Sequence, residues 1–130
     1  PVSKQKSNDI NSLYSILSYL AAVENQISES LGYKNYCGDI SPHTKWQINS
    51  TSVITMIINT TQCNFASTPL YFVSQHGRSS LWTTSGHAAI YFPTKQSFQI
   101  YLKSLVGVSA TTLLSSAGNH AWNISWTGFY

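Results

Sequence analysis

Residues 121–129 read AWNISWTGF, and this stretch decides the fold class. Apolar Trp122, Ile124 and Trp126 alternate with polar side chains, which is the period of two expected for a half-buried β-strand. Residues 97–103, SFQIYLK, repeat the arrangement with three apolar side chains on one face. Both stretches therefore predict strands that turn one face to a core and the other to water.

The same pattern extends over the chain from residue 33 to residue 130. Short apolar runs recur there between Gly, Pro, Asn and Ser, which is typical of consecutive strands joined by short turns. The candidate strands are residues 45–49, 52–59, 70–75, 88–92, 97–103 and 121–129. Six such strands predict a mainly β domain, an antiparallel β-sandwich or jelly roll.

A different period precedes the strands. Apolar residues spaced three and four apart predict an amphipathic helix over residues 10–31, which Asn8 or Asp9 would cap and Gly32 would end. Residues 1–7 show no apolar pattern and are expected to form a mobile arm. Residues 1–32 are therefore interpreted as an arm and helix, and residues 33–130 as the sandwich domain. The apolar stripe consists of Ile10, Leu13, Leu17, Leu20, Ile27 and Leu31.

The stripe follows a heptad spacing that Glu24 interrupts. A long coiled coil is therefore not expected, and a short helix of this kind is marginal on its own. Two partners are open: the chain's own sandwich, or copies of the same helix in a short bundle. We favour self-association, because a helix ahead of a compact sheet domain has few surfaces of its own chain to cover.

The composition indicates an extracellular protein. Only 8% of the residues are charged, against about 25% in a typical soluble domain. The seven basic residues are scattered and form no stripe, so the net charge of +3 does not predict nucleic-acid binding. No apolar stretch approaches the roughly 20 residues needed to span a bilayer. A secreted protein with a polar, almost uncharged surface is the prediction.

Two modifications fit that environment. Cys37 and Cys63 are expected to form a disulfide, with two buried free thiols as the alternative. Asn-x-Ser/Thr sequons at Asn49, Asn59 and Asn123 are candidate N-glycosylation sites, with unmodified surface amides as the alternative. Asn49 and Asn123 each follow an apolar residue in an alternating strand and should point outward, whereas Asn59 ends a strand that is apolar on both sides. Apart from covalent N-linked glycans, no cofactor is expected.

The inventory of ionisable residues argues against catalysis. The chain has four acids, of which only Asp39 follows the helix, so the sandwich cannot provide the paired carboxylates of a glycosidase, and a catalytic triad would have to recruit Asp39. Its four histidines lack the close spacing of a zinc site. We therefore expect no enzyme and no metal centre.

One segment has a composition suited to ligand contact. Residues 75–82, QHGRSSLW, read as a loop that combines His76, Arg78 and Trp82. A guanidinium and an indole can hydrogen-bond to and stack on a sugar, which makes these three residues candidates for carbohydrate binding. The alternative is that Trp82 belongs to the core and that Arg78 is a solvated cation.

Five parts of the sequence follow one another in a recognisable order: residues 63–74 (CNFASTPLYFVS), Trp82, Gly86, residues 93–98 (PTKQSF) and residues 122–128 (WNISWTG). Their order and spacing resemble those of the H-type lectins and of the C-terminal domains of phage tail fibres. This resemblance implies a six-stranded antiparallel sandwich, assembly as trimers or larger oligomers, and sugar recognition in some members. Sugar-binding members commonly use a carboxylate, and within residues 33–130 only Asp39 could supply one.

These observations lead to one prediction of function and one alternative. The prediction is a non-enzymatic secreted glycoprotein module that assembles with copies of itself into a fibre, coat or appendage. The alternative is a lectin of the H-type class that binds carbohydrate. The two share a fold and differ in the surface that carries the affinity.

Overall fold

A computed structural model describes residues 2–31 and 35–130 of the chain. The chain divides into two compact units, Pro1–Asn35 and Tyr36–Tyr130. The first unit contains one helix, α1 (Val2–Leu31). The predicted cap at Asn8 or Asp9 and the predicted arm over residues 1–7 are wrong, because the helix already begins at Val2. Residues 4–6, KQK, are good helix formers, and neither Gly nor Pro occurs between residues 2 and 9.

The second unit is a sandwich of two antiparallel sheets, which confirms the predicted fold class. One sheet has the strand order β1-β7-β4 and the other the order β2-β3-β6-β5. A short helix, α2 (Ala110–Asn119), precedes the last strand. Within residues 36–130 the strands are β1 (Tyr36–Ser41), β2 (Gln47–Ile48), β3 (Val53–Asn59), β4 (Leu70–His76), β5 (Thr84–Ser85), β6 (Ser97–Ser104) and β7 (Asn123–Phe129).

The core lies between the inner faces of the two sheets. The alternation in β6 and β7 is confirmed, since their predicted core residues are nearly inaccessible to solvent. The intervening residues of β7 are only partly buried, as a two-faced strand requires. The fully buried side chains of the two sheets include Ile54, Met56, Ile58, Phe98, Ile100, Leu102 and Ile124.

Two of the six predicted strands are wrong in whole or in part. Residues 88–92 form no strand, because Gly86 and Ala89 close a turn and Phe92 adopts a left-handed backbone with φ 51°. Tyr91 alone pairs there, in an isolated bridge to Gln99. Residues 45–49 are replaced by a 3₁₀ turn, His43–Lys45, followed by the two-residue β2. In β2, Ile48 is exposed rather than part of the core.

Three elements were not predicted: β1, β5 and α2. Ser109 caps the N-terminus of α2, because its Oγ accepts a hydrogen bond from the backbone N–H of Thr112 at 3.3 Å. Its buried residues Ala110, Leu113 and Ala117 recur at helical spacing. The helix therefore covers part of the core, although most of its residues are Thr, Ser, Ala and Gly.

The predicted disulfide is confirmed. Cys37 in β1 is bonded to Cys63 in the 3₁₀ turn Thr61–Cys63, with a Cα–Cα distance of 5.8 Å. β1 is an edge strand of the three-stranded sheet, and the turn follows β3 of the other sheet. The bond therefore ties the two sheets together along one side of the sandwich.

Candidate functional sites

The apolar stripe of α1 is open to solvent. Ile10, Leu13, Leu17 and Leu20 expose between 54% and 61% of their surface. Tyr14 and Ile16 flank this stripe, whereas Tyr19 lies on the face of Ser12 and Ser15, and the three expose between 56% and 69% of their surface. The side chains of Ile27 and Leu31, which complete the predicted stripe, lie outside the part of the chain that the structure describes, as does Gly32. Such a concentration of exposed apolar side chains on one helix is typical of an interaction surface.

The loop with the candidate sugar-binding residues connects β4 to β5. Trp82 is 80% exposed, whereas the other three tryptophans are buried. The core alternative for Trp82 is therefore wrong. The loop is hydrogen-bonded to the core, because the indole N–H of the buried Trp122 donates to the carbonyl of Ser79 at 2.8 Å. Trp82 therefore projects from a turn that is hydrogen-bonded to the core, which suits an aromatic ring that stacks on a ligand.

The other two candidate residues take different positions. The guanidinium of Arg78 donates from Nη2 to the carbonyl of Asn119 at 2.8 Å and so joins the loop to the end of α2. His76 ends β4 and pairs in register with Asn123, on the outer face of the three-stranded sheet. Among the described residues, no hydrogen bond or ring contact joins the Trp82 indole to either residue. The structure therefore shows different surroundings for the three candidates and no hydrogen bond or ring contact of the Trp82 indole with the other two.

A polar groove that the sequence did not predict runs between the two sheets, and we call it the lateral groove. It has a volume of about 240 Å³ and is lined by Asp39, Ser41, Lys45, Ile57, Asn59, Gln62 and Trp126, among others. β2 pairs only with Ile54 and Thr55, so the last residues of β3 have no partner strand on this side. The edge of β1 lies opposite these residues of β3, on the other side of the groove. The disulfide between Cys37 and Cys63 fixes the distance between the two strands here.

Asp39 enters this groove because of its register. It pairs with Trp126, whose side chain lies in the core, so the two side chains share the inward face of the sheet. Its Oδ1 accepts the backbone N–H of Ile40 at 2.7 Å, and it forms no ion pair with a described residue. Asp39, the single acid of residues 36–130, therefore lines the groove together with Asn59 and Gln62. No local sequence signal could have predicted this meeting of residues from both sheets.

The three sequons differ in their surroundings. Asn49 is exposed in the turn before β3, and Asn59 is exposed at the end of β3. Asn123 is half-buried, and its Oδ1 accepts the backbone N–H of His43 at 2.8 Å. The outward direction expected for Asn123 fits its place on the wet face of β7. His43 nevertheless covers part of its amide.

Residues 2–31 and 35–130 contain no group of three or more His, Cys, Asp or Glu that could hold a metal ion. Burial lowers the pKa of His87, which favours its neutral form. No helix among the described residues is both long and apolar enough to cross a bilayer.

Comparisons with known proteins add no identity to this description. No family model, no curated protein and no solved structure matches the chain. The interpretation of its function therefore depends on its own surfaces.

Proposed function

We propose that the chain is a secreted, glycosylated, non-enzymatic module that assembles with copies of itself through α1 into an extracellular structure such as a fibre, coat or appendage. The observation that carries the proposal is the exposed stripe of Ile10, Leu13, Leu17 and Leu20. Burial of one such side chain is worth about 1.5–3 kcal/mol. Four per chain, repeated in each copy, would offset the entropy cost of association.

Copies of the same helix are the occupant that best fits this stripe. The four residues take alternating steps of three and four, which places them on the contact seam of a helix bundle. Serines at positions 12, 15 and 18 lie on other faces of the helix, which they share with the exposed Tyr19. Glu24 falls on the seam, and a polar seam residue of this kind sets the register of such bundles at a cost in stability.

Two features of the sandwich support secretion and a non-catalytic role. The disulfide between Cys37 and Cys63 is of a kind that persists in oxidising compartments. Asp39 is the single acid of residues 36–130, so no second carboxylate can work with it there. A disulfide-linked sandwich with few charged residues suits a structural subunit better than a hydrolase.

The test of assembly is the mass of the full chain in solution. We expect an oligomer by sedimentation velocity, and we expect Leu13→Gln/Leu17→Gln to raise the dissociation constant at least about 100-fold, because two buried leucines per chain are lost. The control variant, Ser12→Gln/Ser15→Gln, introduces the same two glutamines away from the seam and should leave the mass of the oligomer unchanged. A wild-type chain that stays monomeric at about 100 µM, or a double leucine variant that assembles normally, contradicts the proposal.

A second candidate function is carbohydrate recognition, which the 80% exposure of the Trp82 indole favours. Tryptophan stacks on the apolar face of a sugar ring, and an indole held on a fixed loop loses little entropy on binding. Leu105 and Val106 extend this exposed surface, because the N–H of Leu105 donates to the carbonyl of Thr83 at 2.7 Å.

Retention on immobilised sugars tests this candidate. We expect Trp82→Ala to weaken binding at least about tenfold through loss of stacking. Phe92→Ala removes another highly exposed aromatic ring, on a different loop, and should bind as the wild type does. Equal retention of Trp82→Ala and wild type, or no retention of either on any sugar, contradicts a lectin function at this loop.

A further inference from the structure

The sequon at Asn59 has a geometry that presents its amide nitrogen. Oδ1 of Asn59 accepts hydrogen bonds from the backbone N–H of Thr61 at 2.9 Å and from its Oγ1 at 2.7 Å. Nδ2, the atom that carries an N-linked sugar, donates no hydrogen bond to a described residue. The side chain is exposed at the end of β3. The hydroxyl of the sequon's third residue thus orients the amide and leaves its nitrogen free.

The same residue also borders the lateral groove. Asn59 is one of the groove's lining residues, together with Gln62, Asp39 and Ile57. Its volume of about 240 Å³ equals that of about eight liquid waters, which is the scale of one sugar ring and not of an oligosaccharide. A sugar attached at Asn59 would therefore have a recess of its own size beside it.

The groove also has the chemistry of a sugar contact. The carboxylate of Asp39 accepts hydrogen bonds from hydroxyl or acetamido N–H groups, and the Gln62 amide both donates and accepts. The ammonium of Lys45 donates to ring and hydroxyl oxygens. Ile57 is 63% exposed and offers an apolar contact to an acetamido methyl group. Each of these groups has a counterpart on N-acetylglucosamine.

We infer that the lateral groove seats the first N-acetylglucosamine of a glycan carried by Asn59, an inference that rests on the proposed function, since it requires a secreted glycoprotein. In the transfer, Nδ2 of Asn59 forms a bond to C1 of the sugar and loses one proton. The C1–O bond to the pyrophosphate of a lipid-linked oligosaccharide donor breaks, and the lipid pyrophosphate leaves. The attached sugar then lies between the edges of β1 and β3 and stabilises the end of β3, which has no partner strand on that side.

The experiment compares glycosylated and sugar-free forms of one sequence. Full chains with a single remaining sequon, Asn49→Gln/Asn123→Gln and Asn59→Gln/Asn123→Gln, are secreted from eukaryotic cells and trimmed enzymatically to one N-acetylglucosamine. The same sequences are made without sugar in a bacterial periplasm. We expect the single sugar on Asn59 to raise Tm by about 3–6 °C and the single sugar on Asn49 to raise it by less than about 1 °C.

Groove variants test the seat itself. In the chain that keeps only Asn59, Asp39→Asn and Gln62→Ala should each remove at least about half of the Tm gain. Gln47→Ala, an exposed amide on β2, should leave the gain unchanged. Because every gain is a difference between two forms of one sequence, a loss of stability caused by the substitution alone cancels. A nuclear Overhauser contact from the acetamido methyl group to Ile57 is also expected.

The outcomes separate this inference from the proposed function. An occupied Asn59 that brings no gain in Tm, or a gain that the groove variants leave intact, overturns the seat and leaves the proposed function standing. Glycosylation of Asn49 without glycosylation of Asn59 likewise overturns the seat and leaves the proposed function standing. A secreted chain without sugar at any of the three sequons overturns both the seat and the glycoprotein part of the proposal, while assembly through α1 is judged by mass alone.

Discussion

Two buried tryptophans link segments of the sandwich through the indole N–H, which is the single hydrogen-bond donor of each side chain. Nε1 of Trp46 donates to the carbonyl of Trp122 at 2.9 Å, and Nε1 of Trp122 donates to the carbonyl of Ser79 at 2.8 Å. A buried indole needs such a partner because an unpaired donor costs free energy. The alternation in residues 121–129 predicted that Trp122 would be buried. It could not predict that Trp82 stands in water, because a loop tryptophan without periodic neighbours carries no burial signal.

A second buried polar contact supports a prediction about stability. The hydroxyl of Thr60 is fully buried 2.8 Å from that of Tyr71, which in turn donates to the carbonyl of Thr94 at 2.6 Å. Burial raises the pKa of Tyr71, and the hydrogen bond from Thr60 partly offsets this effect. Thr60→Val keeps the shape and the sequon but removes this hydrogen bond. It should cost about 1 kcal/mol and lower Tm by about 4–8 °C.

Differential scanning calorimetry of the sugar-free chain measures this shift. Thr44→Val makes the same chemical change at an exposed position of the 3₁₀ turn and should change Tm by less than about 2 °C. A Thr60→Val chain as stable as the wild type would show that the hydroxyl contributes nothing to the fold.

At the scale of elements, prediction succeeded where one face of a long strand is buried. The sequence predicted four strands correctly: β3, β4, β6 and β7. Each of them either has a partner strand on both sides or carries a continuous row of side chains facing the core. β1 was missed because an edge strand that contains Gly38 and Asp39 lacks the apolar alternation. α2 was missed because its Thr, Ser and Gly residues are poor helix formers, although Ser109 and the spacing of its buried residues carry the signal.

The disulfide is the element-scale feature with the largest expected effect on stability. It closes a loop with a sequence separation of 26, for which the chain-entropy relation gives about 3–4 kcal/mol. Cys37→Ala/Cys63→Ala should lower the free energy of unfolding by that amount, because β1 would then be held mainly by β7. Urea denaturation followed by tryptophan fluorescence measures the loss, and reduction of the wild type should reproduce it. A loss below about 1 kcal/mol would mean that the pairing of β1 with β7 already fixes this edge.

At the scale of the whole molecule, the chain combines few charged residues with one amphipathic helix that exposes an apolar stripe. Charged residues make up 8% of the sequence, so charge repulsion does little to keep copies apart. Attached glycans would supply the solubility that charge does not, and α1 would direct association to one surface. The composition predicts this division of roles, which the mass and glycosylation experiments test. The lateral groove could not be predicted from the sequence, because it joins residues from separate strands and turns of both sheets.

The proposed assembly through α1 would also make the stability of that helix depend on protein concentration. A helix whose apolar side chains are covered by other copies is stabilised by mass action, whereas a helix stabilised within one chain is not. We expect the melting temperature of the helical signal at 222 nm to rise by several degrees between about 1 and about 100 µM, since a hundredfold change in concentration corresponds to about 2.7 kcal/mol. Leu13→Gln/Leu17→Gln should remove this dependence and Ser12→Gln/Ser15→Gln should preserve it. A wild-type melting temperature that is the same at both concentrations would place the stabilising contacts of α1 within a single chain, and the exposed stripe would then need a different partner.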